Sequence, residues 1–145
     1  MKHFGLIGKV LVHSFSKKFF TEKFAKEGID AQYDLYELPV IDDFKTLIAS
    51  NEFYGFNVTI PYKEQIIPLL DSLDPIAEGI GAVNTVKFIR KNGKTELRGY
   101  NTDIIGFTDS IKPLLRENHK KALILGTGGA SKAVCYAFKL MGIEY

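Results

Sequence analysis

Asn57-Val58-Thr59-Ile60-Pro61-Tyr62-Lys63 is the stretch on which the reading of this chain turns. A β-branched run carrying an Asn and a Thr stops at Pro61. Proline has a fixed φ and no amide hydrogen, so it ends a strand and opens a helix. Tyr62 to Leu70 then reads as a short helix. Strand, turn and helix N-terminus in succession are the site-building unit of an open α/β sheet. Lys63 falls in the first helical turn, where a cation opposes the helix dipole at a surface cost of ~0.3–1 kcal/mol. A solvated lysine at a helix start accounts for it without any chemistry; a lysine held there to react is the other reading.

The composition bounds the answer. The chain has 145 residues, 46% hydrophobic and 25% charged, with a formal charge of +2. That is an ordinary soluble composition, long enough for one core or for one domain and part of a second. The small charge gives no footprint for nucleic acid or for an acidic partner. Cys135 is the single cysteine and has no internal partner, which fits a reducing compartment. No apolar run approaches the ~20 residues of a membrane span. Lys9 and His13 interrupt the N-terminal apolar residues too early for a signal peptide. The expectation is a cytoplasmic protein.

Upstream of the central stretch, Phe4 to Val12 reads as a buried strand running into His13-Ser14-Phe15-Ser16. In extended chain Ser14 and Ser16 share a face, and two hydroxyls there can grip a carboxylate with neutral donors. Ser16 as the cap of the following helix is the plainer alternative; that helix carries Phe20 and Phe24 on one stripe and ends at Gly28. Ala31 to Leu38 is a second strand, Asp42 opens a short helix, and Tyr54 to Ile60 is the third strand.

Downstream, Asp74-Pro75 opens a short helix that Gly79 and Gly81 close. Ala82 to Arg90 is a strand with Asn84-Thr85 near its start. Asn92-Gly93 marks a two-residue hairpin returning through Tyr100, expected at a sheet edge. Asn101-Thr102-Asp103 leads into a helix that Pro113 kinks or divides. Asp103 there reads equally as a first-turn acid or an N-cap. Ala122 to Leu125 is a short strand apolar on both faces. It ends in Gly126-Thr127-Gly128-Gly129-Ala130-Ser131, and an apolar helix follows from Lys132 to Met141. Strand, glycine turn and helix form the entry to a dinucleotide-binding unit, in which the backbone approaches a pyrophosphate at the helix N-terminus. Ser131 stands where the third glycine is usual. No residue cluster points to a metal.

Five segments carry a resemblance in order: His13-Ser14-x-Ser16; Asn57-Val58-Thr59-x-Pro61-x-Lys63; Gly81-Ala82-Val83-Asn84-Thr85; Gly99-x-Asn101-Thr102-Asp103-x-x-Gly106; and Gly126-x-Gly128-Gly129-Ala130-Ser131. Together they span almost the whole chain, which resembles the N-terminal part of the shikimate dehydrogenases. These are NADP-dependent enzymes that reduce 3-dehydroshikimate to shikimate in aromatic amino acid biosynthesis. The resemblance implies an α/β substrate-binding domain with a mostly parallel sheet (residues 1–101), a linking helix (102–118) and the start of a Rossmann-like NADP-binding domain (119–145). It implies that Ser14 and Ser16 hold the substrate carboxylate, and that Thr59, Asn84 and Asp103 bond the ring hydroxyls beside Lys63. Lys63 and Asp103 are the implied catalytic pair. Gly126, Thr127, Gly128, Gly129, Ala130 and Ser131 are the implied cofactor turn.

The chain departs from the family where Val10 and Lys17 replace usual prolines. Phe20-Thr21-Glu22 also stands where a His-Asn pair is frequent. These departures fall on the geometry around the serine loop and leave the serines in place. Family members continue well past Tyr145, through the segment that reads the 2′-phosphate and a late substrate-binding Gln. The 145 residues alone are therefore expected to show no turnover, and 119–145 to be poorly stable without the rest. Quinate/shikimate dehydrogenase is the competing activity, and a non-catalytic shikimate-binding module is the reading from another class. The partner is a small molecule, with no nucleic acid or membrane, and the protein a monomer or homodimer.

Overall fold

A computed structural model describes residues 1–145, an α/β chain built on one six-stranded, mostly parallel sheet of order β2-β1-β3-β5-β6-β4. The elements are β1 (Lys2–Gly8), α1 (Ser16–Glu27), β2 (Ala31–Glu37), α2 (Asp43–Ser50), β3 (Phe53–Val58), α3 (Tyr62–Gln65), β4 (Ser72–Leu73), α4 (Pro75–Ile80), β5 (Thr85–Lys91), β6 (Lys94–Tyr100), α5 (Asp103–Ile111) and α6 (Gly129–Met141). β1 runs parallel to β2 and β3, and β4 parallel to β6; β5 is antiparallel to both β3 and β6. No helix is long and apolar enough to cross a membrane.

This topology decides where the site falls. β1 and β3 end at the same edge, the crevice edge of an open sheet. Because β5 is antiparallel, it begins there, and β6 returns to it. The loops after β1 and β3, the approach to β5 and the exit of β6 therefore converge, although 87 residues of sequence separate Ser16 from Asp103.

The main core lies on the face covered by α2, α3 and α4. Ile7, Phe44, Phe53, Phe56, Val58, Tyr62, Ile66, Val83 and Val86 are all 2% exposed or less there. Burying side chains of this size is worth ~1.5–3 kcal/mol each against leaving them in water. On the other face, α1 lays Phe20 and Phe24 over Leu6, Leu11 and Tyr33. α5 and α6 pack together through Ile104, Ala133 and Ala137, with Phe107 edge-on to Phe138. The glycine turn and α6 form the start of a Rossmann-like unit.

Several sequence expectations are corrected. The first strand stops at Gly8 and not at Val12: Val10 and Val12 are 71% and 77% exposed, and the loop is tied by Leu11 N donating to Glu37 Oε1 at 2.6 Å. Ser14 and Ser16 therefore do not share a strand face. Ser16 does not cap α1 either; the cap position is Phe15, with no side-chain bond, while Ser14 Oγ accepts from Ser16 N at 3.3 Å. The helix after Pro61 is one α-turn followed by a 3-10 turn over Ile67–Leu69, because Pro68 cannot continue an α-helix.

Gly79 sits inside α4 and only Gly81 closes it. A Cβ on Gly79 would lie 2.8 Å from the Tyr136 ring, so glycine is what lets α4 and α6 approach. The fifth strand begins at Thr85, not Ala82, because Val83 N bonds Lys63 O of α3 instead of a neighbouring strand. The Asn92-Gly93 hairpin forms with positive φ at both residues, but β6 is not the edge, since β4 pairs beyond it. Ala122–Leu125 forms no strand. A single bridge joins Lys121 to Glu144, and Leu123 and Leu125 are 86% and 88% exposed, with no neighbouring strands to bury either face. α6 starts at Gly129, three residues before Lys132.

Candidate active site

Lys63 comes first because backbone hydrogen bonds fix the turn that carries it. Tyr62 N donates to Thr59 O at 2.9 Å, closing the turn at Pro61. Lys63 O then accepts from Val83 N at 2.7 Å, tying α3 to the approach to β5. The next residue, Asn84, is fixed in turn, its N donating to Tyr100 O at 3.0 Å and its O accepting from Val58 N at 2.8 Å. Three segments distant in sequence are thus stitched together at backbone level before any side chain is placed.

The side chains follow from that stitching. Lys63 Nζ donates to Asp103 Oδ2 at 2.6 Å, with the two side chains 15% and 32% exposed. The other carboxylate oxygen, Oδ1, accepts from Asn84 Nδ2 at 2.7 Å. Asn84 Oδ1 accepts from the Thr102 amide at 2.9 Å and from the Thr85 hydroxyl at 3.0 Å. Asp103 is the first residue of α5 and not its cap; its own amide donates to Asn101 Oδ1 at 3.0 Å. Asn101 is 5% exposed and also donates to Ala82 O at 2.9 Å. A half-buried ammonium faces a carboxylate oriented by the Asn84 amide, on a backbone that Asn101 holds. The solvated-lysine reading of Lys63 does not describe this geometry.

The glycine turn lies beside the lysine. A cleft of about 460 Å³ is lined by Thr59, Ile60, Pro61, Lys63 and Glu64 on one side. Gly126, Gly128, Gly129, Ala130 and Ser131 line the other; Thr127 is exposed in the turn and is not part of the lining. Gly126 has φ +127, a conformation side chains disfavour. Gly129 is required by proximity: a Cβ there would lie 2.9 Å from Lys63 Cβ and 3.2 Å from its Cδ. No side chain caps α6; the Ser131 hydroxyl donates back to Gly128 O at 2.7 Å. The first-turn amides of this 13-residue helix are therefore open to an anion. Lys132 Nζ reaches Glu64 Oε2 at 2.5 Å, bracing the helix against the lysine turn.

Ser14 and Ser16 line a separate, smaller recess of about 310 Å³ together with Leu6, His13, Phe15 and Thr59. Thr59 borders both recesses, so it joins the serine loop to the lysine cleft. The structure brings Lys63, Asn84 and Asp103 into direct contact and sets the serines one residue, Thr59, away.

Sequence reasoning missed Tyr33, Thr102 and the capping role of Asn101. Tyr33 is 4% exposed and donates its hydroxyl to Asn57 Oδ1 at 2.8 Å. Burial pushes that hydroxyl well above the usual phenol range, opposed by a hydrogen bond from Ser16. Strand alternation placed Tyr33 on a face, but nothing local told which face carries the site.

Residues 6–86 match the family described as shikimate dehydrogenase substrate binding domain. A shikimate dehydrogenase (NADP(+)) of Aquifex aeolicus is 45% identical over 148 residues, covering 97% of this chain and 52% of that protein. The crystal structure of shikimate dehydrogenase 1 from Peptoclostridium difficile superposes with a TM-score of 0.87 at 40% identity, over 99% of this chain and 54% of that one. The Thermus thermophilus enzyme, solved in complex with NADP(H) and shikimate, gives a TM-score of 0.83 at 32% identity, over 99% and 54%. The chain thus spans about half the length of the curated relatives it matches. The matched region contains the serine loop, the lysine turn and Asn84, all at one sheet edge, and on that ground the chain belongs to the shikimate dehydrogenase family.

Proposed function

We propose that this chain is the substrate-binding and catalytic half of an NADP-dependent shikimate dehydrogenase, which reversibly reduces 3-dehydroshikimate to shikimate. The observation that carries the proposal is Lys63 Nζ at 2.6 Å from Asp103 Oδ2, on the wall of a cleft that the glycine turn also lines. In this reading residues 1–101 are the substrate domain, 102–118 the link and 119–145 the first part of the nucleotide domain. Uncapped amides at α6 and glycines without a Cβ fit the pyrophosphate of a dinucleotide. Gly126, Gly128, Gly129, Ala130 and Ser131 would hold it, with Thr127 shaping the turn.

NADPH, when bound, supplies the hydride for the ketone carbon. The residues of this chain deal with what that leaves behind. The ketone oxygen gains negative charge and needs a cation and then a proton. Lys63 offers both from one ammonium group. Asp103 keeps the ammonium oriented and balances its charge, while Asn84 holds Asp103 so that one oxygen remains toward the lysine. Proton transfer from Lys63 completes the alcohol; in the oxidative direction neutral Lys63 takes the proton back. Ser14 and Ser16 would donate to the carboxylate, which does not change during the reaction, and Thr59 and Asn84 would meet ring hydroxyls. The partner is a small molecule, and a cytoplasmic setting agrees with one unpaired cysteine.

The test is a spectrophotometric assay of a full-length dehydrogenase carrying these 145 residues, with shikimate and with quinate, each with NADP⁺ and with NAD⁺. Turnover with shikimate and NADP⁺ above the other three pairs is expected. Preference for quinate would give the protein to the quinate/shikimate branch. Binding of shikimate with no turnover under any pair would leave only a binding module. Residues 1–145 alone should give no turnover, since a pyrophosphate cradle without the later strands lacks the ribose and nicotinamide contacts.

A further inference from the structure

Tyr33 lies on the α1 face of the sheet, away from Lys63 and in no role assigned so far. Its ring stacks on Phe20 at 4.4 Å, so it seats the helix that begins at Ser16. Its hydroxyl meets Asn57 at 2.8 Å. Asn57 pairs directly with Thr85 across β3 and β5, which puts their side chains on one face. Asn57 Nδ2 is 3.3 Å from Thr85 Oγ1.

The donors and acceptors along this line run in one direction only. The Thr102 amide can only donate, so the Asn84 atom facing it is the carbonyl oxygen. Asn84 Nδ2 then donates to Asp103, a carboxylate that only accepts, and to the Thr102 hydroxyl at 2.9 Å. The Thr85 hydroxyl, 3.0 Å from the same Asn84 oxygen, must donate to it. Its lone pairs are thereby left to accept from Asn57 Nδ2, which turns Asn57 Oδ1 toward Tyr33. Tyr33 donates to that oxygen.

We infer that Tyr33 is a positioning residue for the substrate site: its hydroxyl pins the Asn57 amide and closes a one-way hydrogen-bond chain, Tyr33–Asn57–Thr85–Asn84–Asp103, that joins the seat of α1 to the Lys63–Asp103 pair. Without the hydroxyl, the Asn57 amide is free to turn over. Asn57 Oδ1 then competes with Asn84 Oδ1 for the Thr85 proton, and Asn84 loses one of the donors that orient it. A buried tyrosine bonded only for the sake of the fold would show none of this coupling. The inference rests on the reading of Lys63 and Asp103 as the reacting pair.

The experiment uses a full-length dehydrogenase carrying this chain, in the wild-type form and as Tyr33→Phe, Thr85→Val, Thr85→Ser, the double variant Tyr33→Phe/Thr85→Val, and Lys63→Ala. Tyr33→Phe keeps the stack on Phe20 and removes one oxygen. It should lower kcat/KM for shikimate about three- to tenfold, the worth of a neutral hydrogen bond, while KM for NADP⁺ stays within about twofold. Thr85→Val should do the same, and Thr85→Ser, which keeps the hydroxyl, should recover most of the loss. The double variant should be no worse than the weaker single, because both break one chain. Wild-type kcat/KM in Tyr33→Phe, or single effects that multiply in the double variant, would overturn the inference. If Tyr33→Phe does not fold, the Thr85→Val loss with Thr85→Ser recovery decides in its favour, and an unchanged Thr85→Val decides against it. Collapse of Lys63→Ala with these variants unchanged would reject the chain alone; wild-type turnover in Lys63→Ala would reject the underlying reading and the inference with it.

Discussion

Replacing Gly129 with alanine sets helix propensity against packing. The residue is the first of α6 and its φ is not in the left-handed region, so alanine fits the backbone. Helix propensity alone favours alanine over glycine by up to about 1 kcal/mol, less in a first turn. The added methyl, however, would lie 2.9 Å from Lys63 Cβ, 3.2 Å from Lys63 Cδ and 3.5 Å from Ala82 Cβ. Carbon atoms rest at about 3.5–4.0 Å, so one side must yield by about 0.6–1 Å. Lys63 cannot retreat as a flexible tip would, because the nearest atom is its Cβ and its carbonyl is bonded to Val83 N at 2.7 Å. Either α6 moves off the cleft or the ammonium moves off Asp103. Misplacement of reacting groups by about 1 Å costs on the order of 100-fold in rate. The expected result in a full-length dehydrogenase carrying this chain is a kcat lowered about 10- to 100-fold with a Tm lowered, because overpacking typically costs about 1–3 kcal/mol and outweighs the propensity gain. Steady-state kinetics and a thermal melt on the same preparation check both halves. A Gly129→Ala enzyme with wild-type kcat would refute the argument that glycine stands there for the approach of the lysine.

Three other outcomes follow from the same geometry. Lys63→Ala should lower kcat by about 10²–10⁴-fold with a much smaller change in KM for shikimate, as loss of a general acid–base group does; near-normal kcat would return the residue to a solvated lysine. Ser14→Ala and Ser16→Ala should raise KM for shikimate with kcat nearly kept, because the carboxylate they hold is the same in ground and transition states; an early melt with unaltered KM would make them structural only. The Lys17–Asp34 bond at 2.8 Å ties α1 to β2, and Lys17 holds the Asp34 carboxyl below its ordinary 3.8. A depressed carboxyl contributes stability above its unfolded value and loses it as pH falls through the folded one. Melts from about pH 6 to pH 3 should therefore fall more steeply for wild type than for Asp34→Asn, and parallel curves would dismiss the tether.

Local chemistry made part of this protein legible in its sequence. Pro61 stands at the cap of α3, although β3 already ends at Val58; Asn92-Gly93 turns the hairpin by fixed dihedrals, and Gly28, Gly81 and Gly142 close their helices with positive φ. Those constraints need no knowledge of distant residues. The pairing of Lys63 with Asp103 is different, because it depends on β5 running antiparallel to β3 so that Asn84 and the β6 exit return to the edge where Lys63 stands. No local property of either residue contains that direction. Ala122–Leu125 shows the same limit from the other side: an apolar run is strand-like by composition, yet a strand exists only when neighbours take up its hydrogen bonds, and here a single bridge does. Gly129 and Tyr33 mark what tertiary structure alone decided. One is a glycine for lack of space beside a lysine 66 residues earlier, and the other bonds an asparagine two strands away. Steric room and hydrogen-bond direction are properties of the assembled sheet edge, and the chain acquires them only once its strands are paired.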